Sequence, residues 1–350
     1  MTEFDVAVIG GGPSGAVASR VLALSGLKVA LVDEPRGGPK VGENLAAAAH
    51  PLLRDMGLLP WLELSRPQLC VGSQSAWGSD RLQTRDAIHD PHGCGWLLDR
   101  GRFDQCLRQA ACAAGVHWQR ERVGQIDCCP SGWKLGLRRH ELTARWLIDA
   151  SGRASVLGRR LGIARIRDQD LIAVHAWADA WGCGRHTLIE SVRNGWWYSA
   201  QLPDGRRIAA FHTGAAEARA LAGNRHAWLE ALSCTLHLRK LCEHGQWESP
   251  QACDASGGQL QCWAGERWLA VGDAALAFDP LSSQGIFNAL YTGLRGAQAV
   301  QQAIMGHADA VGTYTATLQN VRDCYVRQLR YHYAHELRWS NEGFWQSRRS

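Results

Sequence analysis

The sequence is poor in lysine. Among 38 basic residues only Lys28, Lys40, Lys134 and Lys240 are lysine, so arginine carries almost all of the positive charge, and residues 41–133 contain no lysine at all. No apolar run is long enough to span a bilayer, which excludes a membrane-spanning helical protein. The first fifteen residues lack the basic start and small-residue cleavage site of a secretory signal, so a cytoplasmic protein is expected. Twelve cysteines are present but no CxxC pair. With no secretion signal they read as buried reduced thiols, and no metal site is expected. Internal repeats and low-complexity segments are absent. The net charge of +5 is modest and spread along the chain, which argues against nucleic-acid binding.

What is present is a globular composition, 46% hydrophobic and 20% charged, in 350 residues, a length that implies two domains. Phe4 to Ile9 reads as a buried strand, Ser14 to Ser25 as a helix and Lys28 to Asp33 as a second buried strand, a βαβ opening with parallel strands covered on both faces. Phe103 to Gly115 reads as a helix, His117 to Asp127 as strand-like, and Trp146 to Asp149 as a further apolar strand. The pattern then changes. Leu171 to Ala180, His186 to Val192, Trp196 to Leu202 and Arg207 to Thr213 are β-like runs separated by turn residues, among them Pro203-Asp204-Gly205, a hairpin signal. An antiparallel sheet is expected here. Trp268 to Val271 returns to the buried-strand style, and Gln284 to Ile304 and Val311 to Leu337 read as long helices.

Gly10-Gly11-Gly12-Pro13-Ser14-Gly15 fits GxGxxG between the first strand and helix. Gly10 permits the tight turn, Gly12 lets backbone approach a pyrophosphate, and Gly15 allows close helix–strand packing. The helix start offers free N–H groups and the positive end of its dipole. Asp33, with Glu34 after it, ends the second strand, where a carboxylate can accept from a ribose diol and would repel a 2′-phosphate. This constellation predicts a bound dinucleotide. It does not by itself choose which one.

The choice comes from Gly272-Asp273-Ala274-Ala275, and from Asp279-Pro280-Leu281-Ser282-Ser283-Gln284-Gly285-Ile286, which opens a helix. With GGGPSG, Asp33, Gly42-Glu43, Asp99-Arg100 and Asp149-Ala150-Ser151-Gly152, the chain resembles the FAD-dependent aromatic hydroxylases and flavin halogenases, including geranylgeranyl-reductase-like members. The resemblance covers nearly the whole chain. It implies FAD as cofactor, with Gly10, Gly12, Pro13, Ser14, Gly15, Asp33, Glu34, Gly42, Glu43, Arg100, Val123, Asp149, Gly152, Gly272, Asp273, Pro280, Ser283, Gly285 and Ile286 as the residues that hold it. Amides at the helix start around Ser283 to Ile286 would stabilise negative charge on a reduced flavin. The expected architecture is α/β: a discontinuous Rossmann-like FAD-binding domain (1–167 with 251–305), an inserted antiparallel substrate sheet (168–250, with part of 70–95 on the substrate side) and a C-terminal helical segment (306–350).

A narrower resemblance is carried by Gly42-Glu43-Asn44-Leu45, Ser75-Ala76-Trp77-Gly78, Gly95 through Arg100, Gly195-Trp196-Trp197-Tyr198-Ser199, Leu202 through Arg206 and the tail Phe344 through Arg349. These segments are similar to flavoprotein maturases that modify a tryptophan in quinone-cofactor oxidases of the lysine ε-oxidase and glycine oxidase kind. The halogenase branch requires a lysine soon after its GE segment, a glutamate before the serine that follows Asp-Pro-Leu, and WxWxIP. This chain has no lysine in 41–133, Ser282 then Ser283, and Trp196-Trp197-Tyr198-Ser199-Ala200-Gln201. The resemblance therefore implies a monooxygenase in which a flavin C4a-hydroperoxide delivers hydroxyl to an electron-rich ring. The ring is a small aromatic or a tryptophan of a partner protein or peptide. The electron source is NAD(P)H or a flavin- or ferredoxin-type reductase. Alternatives are a small-molecule aromatic hydroxylase, a halogenase, an isoprenoid reductase, and a non-catalytic flavin-binding module. Trp77, Trp196 and Trp197 are candidate substrate-pocket walls, although alternation puts Trp196 and Tyr198 on one face and Trp197 on the other. His50, His175 and His212 lie near these segments, but no catalytic base is assigned.

Overall fold

The structure is a computed structural model and describes residues 2–35, 37–38, 40–179, 184–242 and 245–349. It is a mixed α/β fold built on two large sheets. In the first, Thr2–Ile9 lies between Glu141–Asp149 and Val29–Val32, parallel to both. Trp268–Ala270 extends one side and His117–Gln119 the other, also in parallel. Their continuous apolar character follows from burial on both faces, and Val6, Ala7, Val8, Val29, Ala30 and Leu31 are fully enclosed. The helices Pro13–Leu24 and Gly285–Ile304 pack together beside this sheet.

The run His117 to Asp127 is not one strand. Only His117–Gln119 joins the parallel sheet, while Gln125–Cys129 turns away to form a hairpin with Gly132–Gly136. Between them lies Arg120-Glu121-Arg122-Val123-Gly124, too charged to continue a buried strand.

The second sheet has the order Gln246–Trp247, Ile172–Asp179, Arg206–Thr213, Gly195–Gln201, His186–Val192, Gly72–Ala76, Gln83–Asp86, with Gln251–Asp254 also paired to Ile172–Asp179. It is antiparallel except where His186–Val192 meets Gly72–Ala76. Ala180, taken from sequence as the end of the strand here, lies outside the described residues. The Pro203–Gly205 turn closes with Gly205 at φ +89° and a 3.0 Å bond from its amide to the Leu202 carbonyl. The long helix Ala310–Ala334 crosses back from the first sheet, where Tyr314 Oη donates to the Ala270 carbonyl at 2.7 Å, to the second. There Tyr333 and the fully buried Trp345 close over Trp77 and Trp196. No described helix is long and apolar enough to cross a membrane.

Candidate active site

One cavity of about 640 Å³ lies between the two sheets, within the size range of ligand sites. At one end is the glycine loop. Gly10 takes φ +103°, and a Cβ there would overlap the Ala150 carbonyl. Gly15 faces away from the cavity, and a Cβ on it would overlap the Gly10 carbonyl oxygen, so its lack of a side chain seats the helix on the strand. Gly12 differs from both. A Cβ at Gly12 would meet nothing within 4 Å, and the residue lines the cavity. It is also the N-cap of helix Pro13–Leu24 and provides no side-chain cap, which leaves first-turn amides open. The helix Gly285–Ile304 likewise begins without a side-chain cap, with Gly285 and Ile286 on the cavity wall. Two helix N-termini thus converge on one space, an arrangement suited to anionic groups.

Asp33 and Glu34 line this end. Buried Arg108 donates to the Gly11 carbonyl at 3.0 Å and stands 3.9 Å from the Asp33 carboxylate, fixing the loop from beneath. Arg100 donates to the Val41 and Gly42 carbonyls at 3.1 and 3.0 Å and pairs with buried Asp104 at 3.3 Å. The opposing pull of Arg100 and Lys40 outweighs burial and holds the Asp104 carboxyl below the usual carboxylate range. Arg153 donates to the Phe278 carbonyl at 3.1 Å and to the Ser256 carbonyl, and its Nε lies 3.5 Å from Asp273.

The structure brings most of the residues singled out from sequence into this cavity: Gly10, Gly12, Pro13, Ser14, Asp33, Glu34, Gly42, Glu43, Arg100, Val123, Gly152, Asp273, Pro280, Ser283, Gly285 and Ile286. Three of that set do not line it. Gly15 is a packing residue, as above. Gly272 sits at φ +59° against Ser14, its amide donating to Thr292 Oγ1 at 2.8 Å. Asp149 corrects the sequence reading. Its carboxylate is fully buried and is consumed by the Ser151 amide and hydroxyl and the Leu157 and Gly158 amides, so it ties down the 151–158 turn instead of facing a ligand.

Two of the three tryptophan assignments also need correction. Trp196 lines the cavity, stacked on His212 at 3.7 Å. Trp197 points to the other face, where it packs on Phe211 and Trp228 in a separate core. The alternation of a regular strand is kept, with no bulge to bring both rings to one side. Trp77 stands behind Trp196, 6.4 Å away, and its Nε1 donates to the His332 carbonyl at 2.8 Å. Of the histidines, His175 and His212 line the cavity, while His50 stacks on Trp96 outside it.

The sheet end of the cavity also contains residues that sequence reasoning missed. Tyr198 shares the face of Trp196, as alternation required. Ala173, Ala210 and Cys253 carried no sequence signal. Asp279 is buried, which raises its carboxyl to about 6; it accepts from Tyr333 Oη at 2.9 Å, and Tyr333 in turn accepts from Trp196 Nε1 at 3.1 Å. Burial lowers His212 to about 3 and also depresses His175, so both stay neutral near pH 7. Burial, opposed by backbone hydrogen bonds and Arg100, raises the Glu43 carboxyl to about 7.

Known proteins similar to this chain share its fold. The model of the tryptophan halogenase family matches residues 71–350. A curated relative, "Putative FAD-dependent oxidoreductase LodB" of Marinomonas mediterranea, is 29% identical over 99% of this chain and 97% of its own length. The 1H-pyrrole-2-carbonyl-[peptidyl-carrier protein] chlorinase of Pseudomonas fluorescens is 26% identical over 89% of this chain and 79% of its own. Among solved structures, the myxobacterial chondrochloren halogenase CndH superposes with a TM-score of 0.91 at 20% identity, covering 100% of this chain and 86% of that one. The peptidyl tryptophan dihydroxylase QhpG superposes with a TM-score of 0.81 at 24% identity, covering 100% and 79%. The chain therefore belongs to the tryptophan halogenase family, an enzyme family of FAD-dependent halogenases and oxidoreductases.

Proposed function

We propose that this enzyme is an FAD-dependent monooxygenase that hydroxylates an aromatic ring, and that the ring is a tryptophan side chain presented by a protein or peptide. The observation carrying the reading is the single cavity that joins a side-chain-free phosphate cradle to a sheet wall of aromatic and neutral imidazole groups. The open space over Gly12, the two uncapped helix starts and the Asp33 carboxylate fit the pyrophosphate, flavin and ribose parts of FAD. The Gly10–Ser14 loop, Asp33, Glu34, Gly42, Arg100, Val123, Gly152, Asp273 and Pro280 through Ile286 would hold it. When bound and reduced, by NAD(P)H or a flavin- or ferredoxin-type reductase, FAD supplies the activation of dioxygen and the transfer of one oxygen atom. The residues of the chain orient the ring and exclude water: Phe278, Ile208 and the alanines of the sheet wall offer apolar cover, and Trp196 is locked by its bond to Tyr333. QhpG, a peptidyl tryptophan dihydroxylase by name, supports the choice of substrate, and LodB, by name a putative FAD-dependent oxidoreductase, supports the class of reaction.

The carrier-protein chlorinase among the relatives favours halogenation as a second reading. Against it, the cavity lysine Lys40 is bound to Asp104 at 2.8 Å and precedes the Gly42–Glu43 segment, and Ser282 stands where that chemistry wants a glutamate. The two readings separate in one assay. With FAD, a flavin reductase, NADH, oxygen and chloride or bromide, a tryptophan-containing peptide is expected to gain oxygen and no halogen. Catalytic formation of halotryptophan would overturn the assignment.

A further inference from the structure

The register of the second sheet shapes the wall of the cavity. His212 pairs with Ala173 on one side and Trp196 on the other, and in the next row Ala210 pairs with His175 and Tyr198. Paired residues share a face, and positions two apart along a strand share it as well. The two alanines are therefore diagonal neighbours on adjacent strands, with His175, His212, Trp196 and Tyr198 about them and the smaller Cys253 paired with Ala173 on its outer side. The wall is low at Ala173 and Ala210, which both line the cavity, so the register leaves a depression broader than one methyl.

Three buried polar atoms on this side of the cavity have no partner: Glu43 Oε1, Tyr198 Oη and His212 Nδ1. Glu43 is only 3% exposed. Leaving one such group unsatisfied costs roughly 1–3 kcal/mol, so native proteins seldom keep several together without a ligand or ordered water to meet them. Glu43 and Tyr198 come from different parts of the chain, the loop before Asn44–Leu45 and the middle of strand Gly195–Gln201, yet the Glu43 charge adds to the burial that pushes the Tyr198 hydroxyl up.

We propose that the Ala173–Ala210 depression is the seat of the substrate's indole ring and that Glu43, with Tyr198 beside it, accepts the ring N–H. This rests on the aromatic-substrate reading above. It reassigns Glu43 from the cofactor to the substrate. A two-ring indole matches a floor spanning two strands, and its one in-plane donor matches a carboxyl with one unmet oxygen. His212, neutral and stacked on Trp196, forms the side wall.

The test uses the FAD-loaded full-length protein and two probes, 3-methylindole and 1,3-dimethylindole, with binding read from perturbation of the flavin absorption. The native protein is expected to prefer 3-methylindole by about tenfold or more, the effect of one hydrogen bond to a charged group. Glu43→Gln should reduce that preference to about two- to threefold, and Tyr198→Phe should reduce it less, both with full FAD content. Ala210→Leu should weaken both probes alike by filling the seat. Equal affinities of the native protein for the two probes would overturn the proposal, and so would a Glu43→Gln protein that keeps the full preference or one that no longer holds FAD. Because binding is read without turnover, the two readings fail separately. A protein that selects the N–H probe but never hydroxylates would sink the monooxygenase reading and leave the seat standing. A hydroxylase blind to the N–H would do the reverse.

Discussion

The two ends of the cavity are built by opposite means. The cradle end is made of backbone: Gly10, Gly12, Gly15 and Gly285 contribute by having no side chain, and the helix starts contribute peptide dipoles. The sheet end is made of side chains whose meeting depends on cross-strand register, with alanines as the low points. A backbone site tolerates little change at its glycines and is indifferent to what surrounds it. A side-chain site can be re-cut by one substitution.

The largest expected effect breaks the second sheet from its far face. Trp197→Ala should destabilise the protein by about 3–5 kcal/mol, because the ring is 1% exposed and packed on Phe211 and Trp228. Since it does not line the cavity, FAD stoichiometry in the folded fraction should stay unchanged; denaturant unfolding with flavin quantitation checks both. Next comes the cradle. Gly12→Val should leave the thermal unfolding midpoint of the FAD-free protein nearly unaltered, because the new Cβ meets nothing within 4 Å, yet weaken FAD binding by at least about a hundredfold, since it enters the space proposed for the pyrophosphate. A variant that unfolds, or one that binds FAD normally, would contradict the contrast between open Gly12 and packed Gly15.

The smallest effect concerns pH. Glu43 titrates near 7, so below that pH it is protonated and accepts an N–H poorly, while above it the carboxylate accepts fully. Of the charged or titratable groups coupled to it, Arg100 stays cationic, and burial pushes the ionisation of Tyr198 and Cys253 upward; Asp279, raised to about 6 on the wall of the same cavity, also gains charge in this range, and the Glu43→Gln profile separates the two. The affinity of 3-methylindole should therefore rise by up to about tenfold from pH 6 to pH 8, that of 1,3-dimethylindole should not, and Glu43→Gln should flatten the difference. A flat profile in the native protein would argue against Glu43 as the acceptor.

This contrast also explains what could be read from the chain. The α/β class and the fold family were legible because glycines at fixed offsets between a strand and a helix have few other uses, and buried parallel strands announce themselves as apolar runs. Period-two alternation was enough to separate Trp196 from Trp197, and the structure follows it. Asp149 was misread because a carboxylate at a strand end beside a glycine turn looks the same in sequence whether it faces a ligand or caps its own loop; only the four donors around it decide. Ala173, Ala210 and Cys253 were invisible, because an alanine acquires meaning only from the larger residues that register places around it. His117 to Asp127 failed as a strand because the charged Arg120–Arg122 stretch leaves the sheet to form the cavity edge at Val123.

The central claim is tested most directly by mass spectrometry of a tryptophan-bearing partner polypeptide expressed with and without this enzyme. Oxygen added to the tryptophan only when the enzyme is present, and lost with Gly12→Val, is the expected result. An unmodified polypeptide from an FAD-loaded enzyme that rapidly hydroxylates a small free aromatic would contradict it.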